Sequence, residues 1–330
     1  MGERDTDCEV KAMAEAVVGA VDIGGTKVAI GVGEASGHIL AQAEVATAAL
    51  AGPEAAMDWV AEGLRRLAAA TVGDLARLDA IGVGSPGPFL HGRLYHSPHL
   101  GAWEGFDVGS ALAARLGRPV RWQNDASAAA LGEWRYGAGR GANTLVYVTV
   151  STGIGAGMVV RGVPLWGANG NAGEFGHLVV DPEGALCACG RRGCLETVAS
   201  GTAIARRAAE RAAASPHLGG LSAVTAEAVF AAWARGDPVA AAVVEEAASA
   251  LGRGLSWLLD LFNPDRLVLG GGVMQAGPAF FDRIRAACER FALPSVWAAA
   301  EWRLAGPSAF TGLLGAMAVA LQAETLEPGP

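Results

Sequence analysis

Short apolar runs that end in glycine or polar residues alternate with longer amphipathic segments along this chain. A run of four to eight apolar residues between turn formers is typical of a buried strand, and apolar positions three or four residues apart are typical of a helix. By these criteria, segments 53–70 and 239–262 are amphipathic helices. Strands that alternate with helices predict an α/β protein. The predicted buried strands are 17–23, 78–84, 145–150 and 266–269.

One strand–turn–strand pattern occurs twice. Strand 17–23 runs into the small residues 24–26 and then a second strand, and strand 145–150 runs into residues 151–155 and then a second strand. Each copy places glycine and hydroxyl side chains at the tip of a hairpin. We therefore expect two related α/β halves that face each other across a cleft.

The length of 330 residues exceeds what one hydrophobic core usually supports, and it predicts two domains. We expect a loose leader over residues 1–14. A smaller α/β domain is expected from residues 15–124 together with 311–330, closed by the C-terminal helix. A larger α/β domain is expected over residues 125–310.

Charge and hydropathy limit the classes of partner. The net charge of −8 argues against nucleic acid as the main partner. The N-terminal residues contain no apolar core of a signal peptide, and no apolar run reaches the length of a membrane span. We therefore expect a cytoplasmic protein without a membrane partner.

Four metal-binding side chains lie within 18 residues. His177, Cys187, Cys189 and Cys194 have the spacing H-x9-C-x-C-x4-C. One imidazole and three thiolates form a closed tetrahedral shell, as in structural zinc sites. Two alternatives are small buried hydrophobic cysteines and a disulfide. In a reducing compartment such a cluster is more often a metal site, which favours Zn²⁺.

The first hairpin tip carries groups suited to a nucleotide phosphate. Gly25 lets phosphate oxygens approach the backbone N–H groups, Thr26 adds a hydroxyl, and Lys27 adds a positive charge. Asp22 precedes them and can hold Mg²⁺. The alternative is an ordinary Gly-Gly turn.

The second hairpin and a later glycine run extend this prediction. Thr152 and Gly153 would hold the phosphates in the second half, and Gly271, in the Gly-Gly-Gly run after strand 266–269, would leave room for the nucleoside. The alternative is a pair of turns without a ligand. The chain contains no G-x-x-x-x-G-K-[ST] loop, so it is not a P-loop enzyme.

Asn124 and Asp125 form the candidate catalytic pair, at a junction between a strand and the Ala-rich helix 126–136. Phosphoryl transfer to an alcohol requires a carboxylate that accepts the hydroxyl proton. The alternative is that Asp125 only caps the helix.

Together these segments resemble the ROK family of bacterial sugar kinases, and within it the ATP-dependent glucokinases. The resemblance extends from about residue 17 to 321. It is carried by DIGGTK at 22–27, GVGSPGP at 82–88, NDASAAALGEW at 124–134, VTVSTGIGAGMV at 148–159, AGEFGHLVVDPEGALCACGRRGCLE at 172–196 and LVLGGGV at 267–273.

The resemblance implies an actin-like, or ribonuclease-H-like, ATPase fold and transfer of the ATP γ-phosphate to the 6-hydroxyl of a hexose, most often glucose. Asp125 would be the general base, and ATP, Mg²⁺ and a structural Zn²⁺ would be required. The resemblance also implies a homodimer or homotetramer. The side chains and backbone that it implies for the sugar are those of Gly87, Asn124, Asp125, Glu174, His177 and Glu196.

Two alternatives remain open at this point. One is a kinase for mannose, fructose or an N-acetylhexosamine, because the run before Trp103 departs from the Asn-Leu-Pro pattern that glucokinases of the family often carry. The other is a non-catalytic, sugar-sensing transcriptional regulator. We expect no helix-turn-helix domain in the few residues before the first strand, which disfavours the regulator.

Overall fold

The computed structural model describes residues 15–95, 97, 100–306 and 311–322. The expected leader, 1–14, and the last eight residues of the first expected domain lie outside these ranges. The described chain divides into two compact units. The first contains residues 15–140, 162–172 and 311–322, and the second contains residues 141–161 and 173–306.

The first unit is built on a five-stranded sheet in the order β3-β2-β1-β4-β7. The strand β1 pairs antiparallel with β2, as the first hairpin predicts, and parallel with β4, which in turn pairs parallel with β7. The edge strand β3 was not among the predicted strands. The bounds are β1 Val17–Ile23, β2 Lys27–Glu34, β3 Ile39–Ala46, β4 Ala80–Ser85 and β7 Val120–Asn124, with a small hairpin of β5 Phe89–Leu90 and β6 Arg93–Leu94.

Helices cover both faces of this sheet. One apolar cluster joins α1 (Pro53–Thr71) and α2 (Val108–Leu116) to the sheet and includes the fully buried Ile30, Leu64 and Leu112. A second cluster joins α10 (Thr311–Ala320) to the other face. The helices of this unit are α1, α2, α3 (Asp125–Tyr136) and α10.

Glycines allow α10 to approach the sheet and α3 closely. A Cβ atom on Gly82 would overlap the carbonyl oxygen of Ala316, and a Cβ atom on Gly132 would lie 2.9 Å from the backbone nitrogen of Gly315. The backbones therefore meet without intervening side chains, which fixes α3 on α10. This packing places α3 in the first unit, whereas the expected boundary at residue 125 would assign it to the second.

The second unit repeats this arrangement. Its strands form a sheet in the order β9-β8-β11-β12, in which β8 pairs antiparallel with β9 and parallel with β11, and β11 pairs parallel with β12. The second hairpin is therefore confirmed, and both sheets have one central strand between a hairpin partner and a parallel neighbour. The bounds are β8 Thr144–Val150, β9 Ile154–Val160, β11 Arg266–Gly270 and β12 Glu301–Leu304. The two-residue strand β10 Val163–Pro164 lies within residues 162–172 of the first unit.

The remaining helices largely follow the apolar periodicity. The 25-residue helix α7 (Pro238–Phe262) matches the longest amphipathic segment, and Asp237 caps it through the N–H groups of Val239 and Ala240. Ser200 separates two short helices and caps the second of them. The other helices are α4 Glu196–Ala199, α5 Gly201–Ala209, α6 Ala226–Ala234, α8 Pro278–Glu289 and α9 Pro294–Ala299.

These two mixed α/β units have the sheet arrangement of the actin-like, ribonuclease-H-like fold, as expected. Within the described ranges, every helix is too short or too polar to cross a bilayer.

Candidate active site and metal centre

Three parallel strands of the first unit end at one edge of its sheet. Asp22 of β1 pairs with Gly84 of β4, and Ser85 of β4 pairs with Asn124 of β7. The carboxyl ends of parallel strands are where α/β proteins place ligand-binding groups. The topology thus gathers Asp22 and Asn124, together with Asp125, which follows directly in the chain.

Asp125 is the first residue of α3, and its side chain is exposed. The cap of the helix is Asn124, whose Oδ1 accepts a hydrogen bond from Ala126 N–H at 2.9 Å. Asp125 Oδ1 accepts from the same N–H at 2.8 Å. Asn124 is therefore the N-cap, and Asp125, the first helical residue, accepts from the same helix-start N–H. The positive end of the helix favours a carboxylate at this position.

Asp22 is a desolvated carboxyl group next to this helix start. Its pKa is raised from an ordinary 3.8 to about 6, mainly by burial and also by the charge of Asp125, while the charge of Lys27 opposes the shift. A Cβ atom on Gly312 would overlap the Asp22 carboxylate, so α10 begins against this side chain. A carboxylate that is desolvated and close to a second carboxylate gains from a nearby cation. This environment suits the Mg²⁺ role expected for Asp22.

The tip of the first hairpin is exposed at Gly25, Thr26 and Lys27. Its base is closed by a 2.8 Å hydrogen bond from Gly24 N–H to the Lys27 carbonyl oxygen. The Lys27 ammonium lies 2.7 Å from a carboxylate oxygen of Glu44, which lies on β3. In this structure Lys27 is therefore paired within the sheet, and both partners are exposed.

Gly87 lies beside the Asn124 side chain. A Cβ atom on Gly87 would lie 3.2 Å from Asn124 Nδ2 and 3.3 Å from the Phe89 ring. The peptide bond from Gly87 to Pro88 is cis. The first unit thus brings together the expected substrate residues Gly87, Asn124 and Asp125.

In the second unit, the parallel pairing of β8 and β11 gathers the other expected nucleotide groups. Thr149 pairs with Gly270, so the strands end side by side. Gly271 has φ +92, and a Cβ atom there would overlap the Val150 carbonyl oxygen. Only glycine therefore fits against the start of the hairpin tip. The residues brought together here are Thr152, Gly153 and Gly271.

The four expected metal ligands converge. Their ligand atoms all lie within 4.8 Å of one another. His177 Nδ1 lies 3.5 Å from Cys187 Sγ, and Cys189 Sγ lies 3.6 Å from Cys194 Sγ. Ligands bonded at about 2.3 Å to a tetrahedral zinc stand about 3.8 Å apart. The three thiols are free, so no disulfide forms among them.

The protonation of this cluster also suits a cation. Burial raises the pKa of the Cys194 thiol to about 12, and burial lowers the pKa of His177. A thiol of this kind ionises at neutral pH when a metal replaces its proton. A neutral imidazole is the form that binds a metal. The donor set and its geometry therefore fit Zn²⁺.

The loop of residues 174–196, here called the metal loop, is anchored on α7 by apolar side chains. Gly254 of α7 leaves space for Phe175 and Leu195, which are buried against it. Phe175 follows Glu174 in the chain, and Leu195 precedes Glu196, so burial of these two apolar residues fixes both acids.

These acids are adjacent to groups that orient them. A Glu174 carboxylate oxygen lies 3.7 Å from His177 Nε2, the ring nitrogen that does not face the thiols. Glu196 Oε2 accepts a 2.9 Å hydrogen bond from Ile154 N–H, next to the second hairpin tip. The second unit thus groups Glu174, His177 and Glu196 around the metal loop.

Comparison with known proteins decides the family. The model of the ROK family matches residues 18–323. The chain belongs to the ROK family. A glucokinase from Halalkalibacterium halodurans is 38% identical over 307 residues, which cover 89% of this chain and 92% of the relative.

Two solved ROK structures are similar to this chain. The ROK hexokinase from Thermus thermophilus has a TM-score of 0.80 and 37% identity, with coverage of 92% of this chain and 97% of that chain. A ROK glucokinase from Streptomyces griseus, in complex with glucose and AMPPNP, has a TM-score of 0.76 and 33% identity, with coverage of 93% and 100%.

Contacts of the second hairpin tip were not predicted from the sequence of this ROK protein. Gly201 N–H donates to the Ser151 carbonyl oxygen at 2.7 Å, and the Thr202 hydroxyl donates to the Thr152 carbonyl oxygen at 2.9 Å. Ser200 caps α5 through Ala203 N–H. A Ser-Gly-Thr sequence inside a helical pattern is a helix-start signal that could have revealed this junction.

Proposed function

We propose that this ROK protein is an ATP-dependent hexose kinase that phosphorylates the 6-hydroxyl of glucose. The observation that carries the proposal is the exposed Asp125 carboxylate at the start of α3, beside Asn124 and the desolvated Asp22. Relatives of 33–38% identity that are named glucokinase or hexokinase, one of them in complex with glucose and AMPPNP, support the same reaction.

In the proposed reaction, Asp125 accepts the proton of the sugar 6-hydroxyl as the oxygen bonds to the γ-phosphorus of ATP. The bond from this phosphorus to the β–γ bridging oxygen breaks, and ADP leaves with the electron pair. Asp125 lies in the first turn of α3, where the helix dipole interacts favourably with a negative side chain.

The first unit contributes three groups of residues to this proposal. Asn124 and Gly87 hold sugar hydroxyls next to Asp125. Gly25, Thr26 and Lys27 contact phosphate oxygens. For this contact, the Lys27 ammonium exchanges its partner Glu44 for a phosphate oxygen. Asp22 would hold Mg²⁺, which supplies charge neutralisation for the phosphates when bound.

The second unit contributes the remaining residues. Glu174, His177 and Glu196 hold further sugar hydroxyls, Thr152 and Gly153 contact phosphates, and Gly271 borders the nucleoside. His177 would bind Zn²⁺ together with Cys187, Cys189 and Cys194. When bound, this ion supplies rigidity to the loop and fixes the tautomer of His177. Assembly into two or four copies remains part of the proposal.

The test is release of ADP from ATP across a panel of glucose, mannose, fructose, N-acetylglucosamine and N-acetylmannosamine. We expect the highest kcat/KM for glucose. A higher kcat/KM for another sugar would support the kinase activity and replace glucose as the proposed substrate. Absence of turnover with every sugar, together with sugar-dependent DNA binding, would contradict the kinase in favour of a regulator.

A further inference from the structure

The side chain of Asn171 forms a two-point clamp on the backbone of Phe89, 82 positions earlier in the chain. Phe89 N–H donates to Asn171 Oδ1 at 2.7 Å, and Asn171 Nδ2 donates to the Phe89 carbonyl oxygen at 2.7 Å. Paired residues of antiparallel strands exchange the same two hydrogen bonds. Phe89 pairs with Leu94 of β6 on one side, and the Asn171 amide takes the place of a strand neighbour on the other.

Phe89 controls the position of Gly87. The two residues are separated only by Pro88, and a Cβ atom on Gly87 would lie within 3.3 Å of both the Phe89 ring and the Asn124 amide. The Phe89 ring also packs on Trp122, with ring centroids 4.4 Å apart. Because this contact is tight, a shift of the Phe89 backbone moves Gly87 relative to Asn124.

The segment that carries Asn171 is held on the same aromatic group. Trp166 packs on Trp122 at 5.0 Å between centroids, and Gly170 (φ +83) lies against both rings. Asn171 is therefore held at one end by aromatic packing in the first unit. Three residues later in the chain comes Glu174, a proposed sugar ligand.

We propose that Asn171 is a positioning residue for sugar selection, which sets the distance between Gly87 and Asn124 without touching the sugar. The inference rests on the proposed hexose kinase activity. If the clamp served only to fold the loop, its loss would lower stability and leave the discrimination among hexoses unchanged. Because Gly87 and Asn124 are proposed sugar contacts, loss of the clamp acts on hexose binding and not on ATP binding.

The test compares Asn171→Ala with the control Asn169→Ala, which removes the same side chain from an exposed position two residues earlier. For Asn171→Ala we expect KM for glucose to rise about tenfold, which corresponds to about 1.4 kcal/mol. We also expect the ratio of kcat/KM for glucose to that for mannose to fall at least threefold, and KM for ATP to change less than twofold. Asn169→Ala should match the wild type.

A second variant separates the two hydrogen bonds. Asn171→Asp keeps an acceptor for Phe89 N–H and lacks a donor for the Phe89 carbonyl oxygen. It should therefore show an intermediate rise in KM, and it also covers the case in which Asn171→Ala does not fold. Circular dichroism and thermal unfolding check the fold of all variants.

Direct binding of glucose, measured by calorimetry, distinguishes the two levels of the proposal. If the wild type binds and phosphorylates glucose and both Asn171 variants keep its KM and its glucose-to-mannose ratio, the role of Asn171 is refuted and the kinase stands. If the wild type neither binds nor phosphorylates any hexose of the panel, the proposed function fails and the positioning role fails with it.

Discussion

The partly buried carboxyl group of Asp22 makes the stability of the ligand-free protein depend on pH. Its pKa is raised from 3.8 to about 6 because burial disfavours the charged form, and the charge of Asp125 adds to the effect. The folded state therefore binds the proton more tightly than the unfolded state. Well below pH 3.8, Asp22 is protonated in both the folded and the unfolded state. Between pH 3.8 and 6 the unfolded state ionises first, so the folded state progressively loses stability.

The magnitude follows from the two pKa values. Above pH 6 the full difference between the folded and unfolded pKa values lowers the free energy of unfolding. At 1.36 kcal/mol per pH unit, this difference corresponds to about 3 kcal/mol. At pH 4 the same linkage gives about 0.6 kcal/mol. Asp22→Asn removes the charge and keeps the shape, so without Mg²⁺ and nucleotide it should stabilise the protein by up to about 3 kcal/mol at pH 7.5. The gain should nearly vanish at pH 4.

Urea unfolding of both proteins between pH 4 and 8 in EDTA measures this difference. For a chain of this length, about 3 kcal/mol corresponds to a rise of about 4 °C in Tm. The exposed Asp282→Asn serves as the control and should show no gain that varies with pH. A gain for Asp22→Asn that is the same at pH 4 and pH 7.5, or a loss of stability at pH 7.5, would refute the reasoning.

Two further predictions concern the metal centre and the packing of α10. We expect elemental analysis to find one zinc ion per chain in the wild type and in Cys288→Ser, and none in Cys194→Ser, which lacks one thiolate ligand. Zinc retained by Cys194→Ser would contradict the assigned ligand set. Gly82→Ala should destabilise the protein by about 2 kcal/mol or more in urea unfolding, because its methyl group overlaps the Ala316 carbonyl oxygen. Gly220→Ala, where nothing lies within 4 Å of the new methyl group, should be near neutral. Equal stability of the two glycine variants would argue against the close approach of α10 to the sheet.

Local chemical signals predicted much of the candidate site. The glycines after Ile23 mark a hairpin, and the spacing of His177 and the three cysteines was sufficient to indicate convergence. Both signals work from sequence because the interacting residues are close in the chain and their side chains are specific. The long helix α7 could be predicted equally well, because its buried apolar positions recur at helical spacing through 25 residues.

Features that depend on tertiary packing could not be predicted from the sequence in the same way. The clamp of Asn171 on Phe89 joins residues 82 positions apart through a backbone that has no sequence signature. The assignment of α3 to the first unit results from the contact between Gly132 and Gly315, which only the fold reveals. The edge strand β3 has no fully buried residue, so burial leaves little imprint on its sequence pattern.

The most direct test of the account is the rate of ADP formation from ATP and glucose by wild type and Asp125→Ala. We expect kcat to fall by about 10²–10⁴ when the proton acceptor is removed. Calorimetry should show that the Kd for glucose changes only a few-fold, because Asn124 and the other proposed sugar contacts remain. A kcat for Asp125→Ala within threefold of the wild type would contradict the assignment of Asp125 as the base.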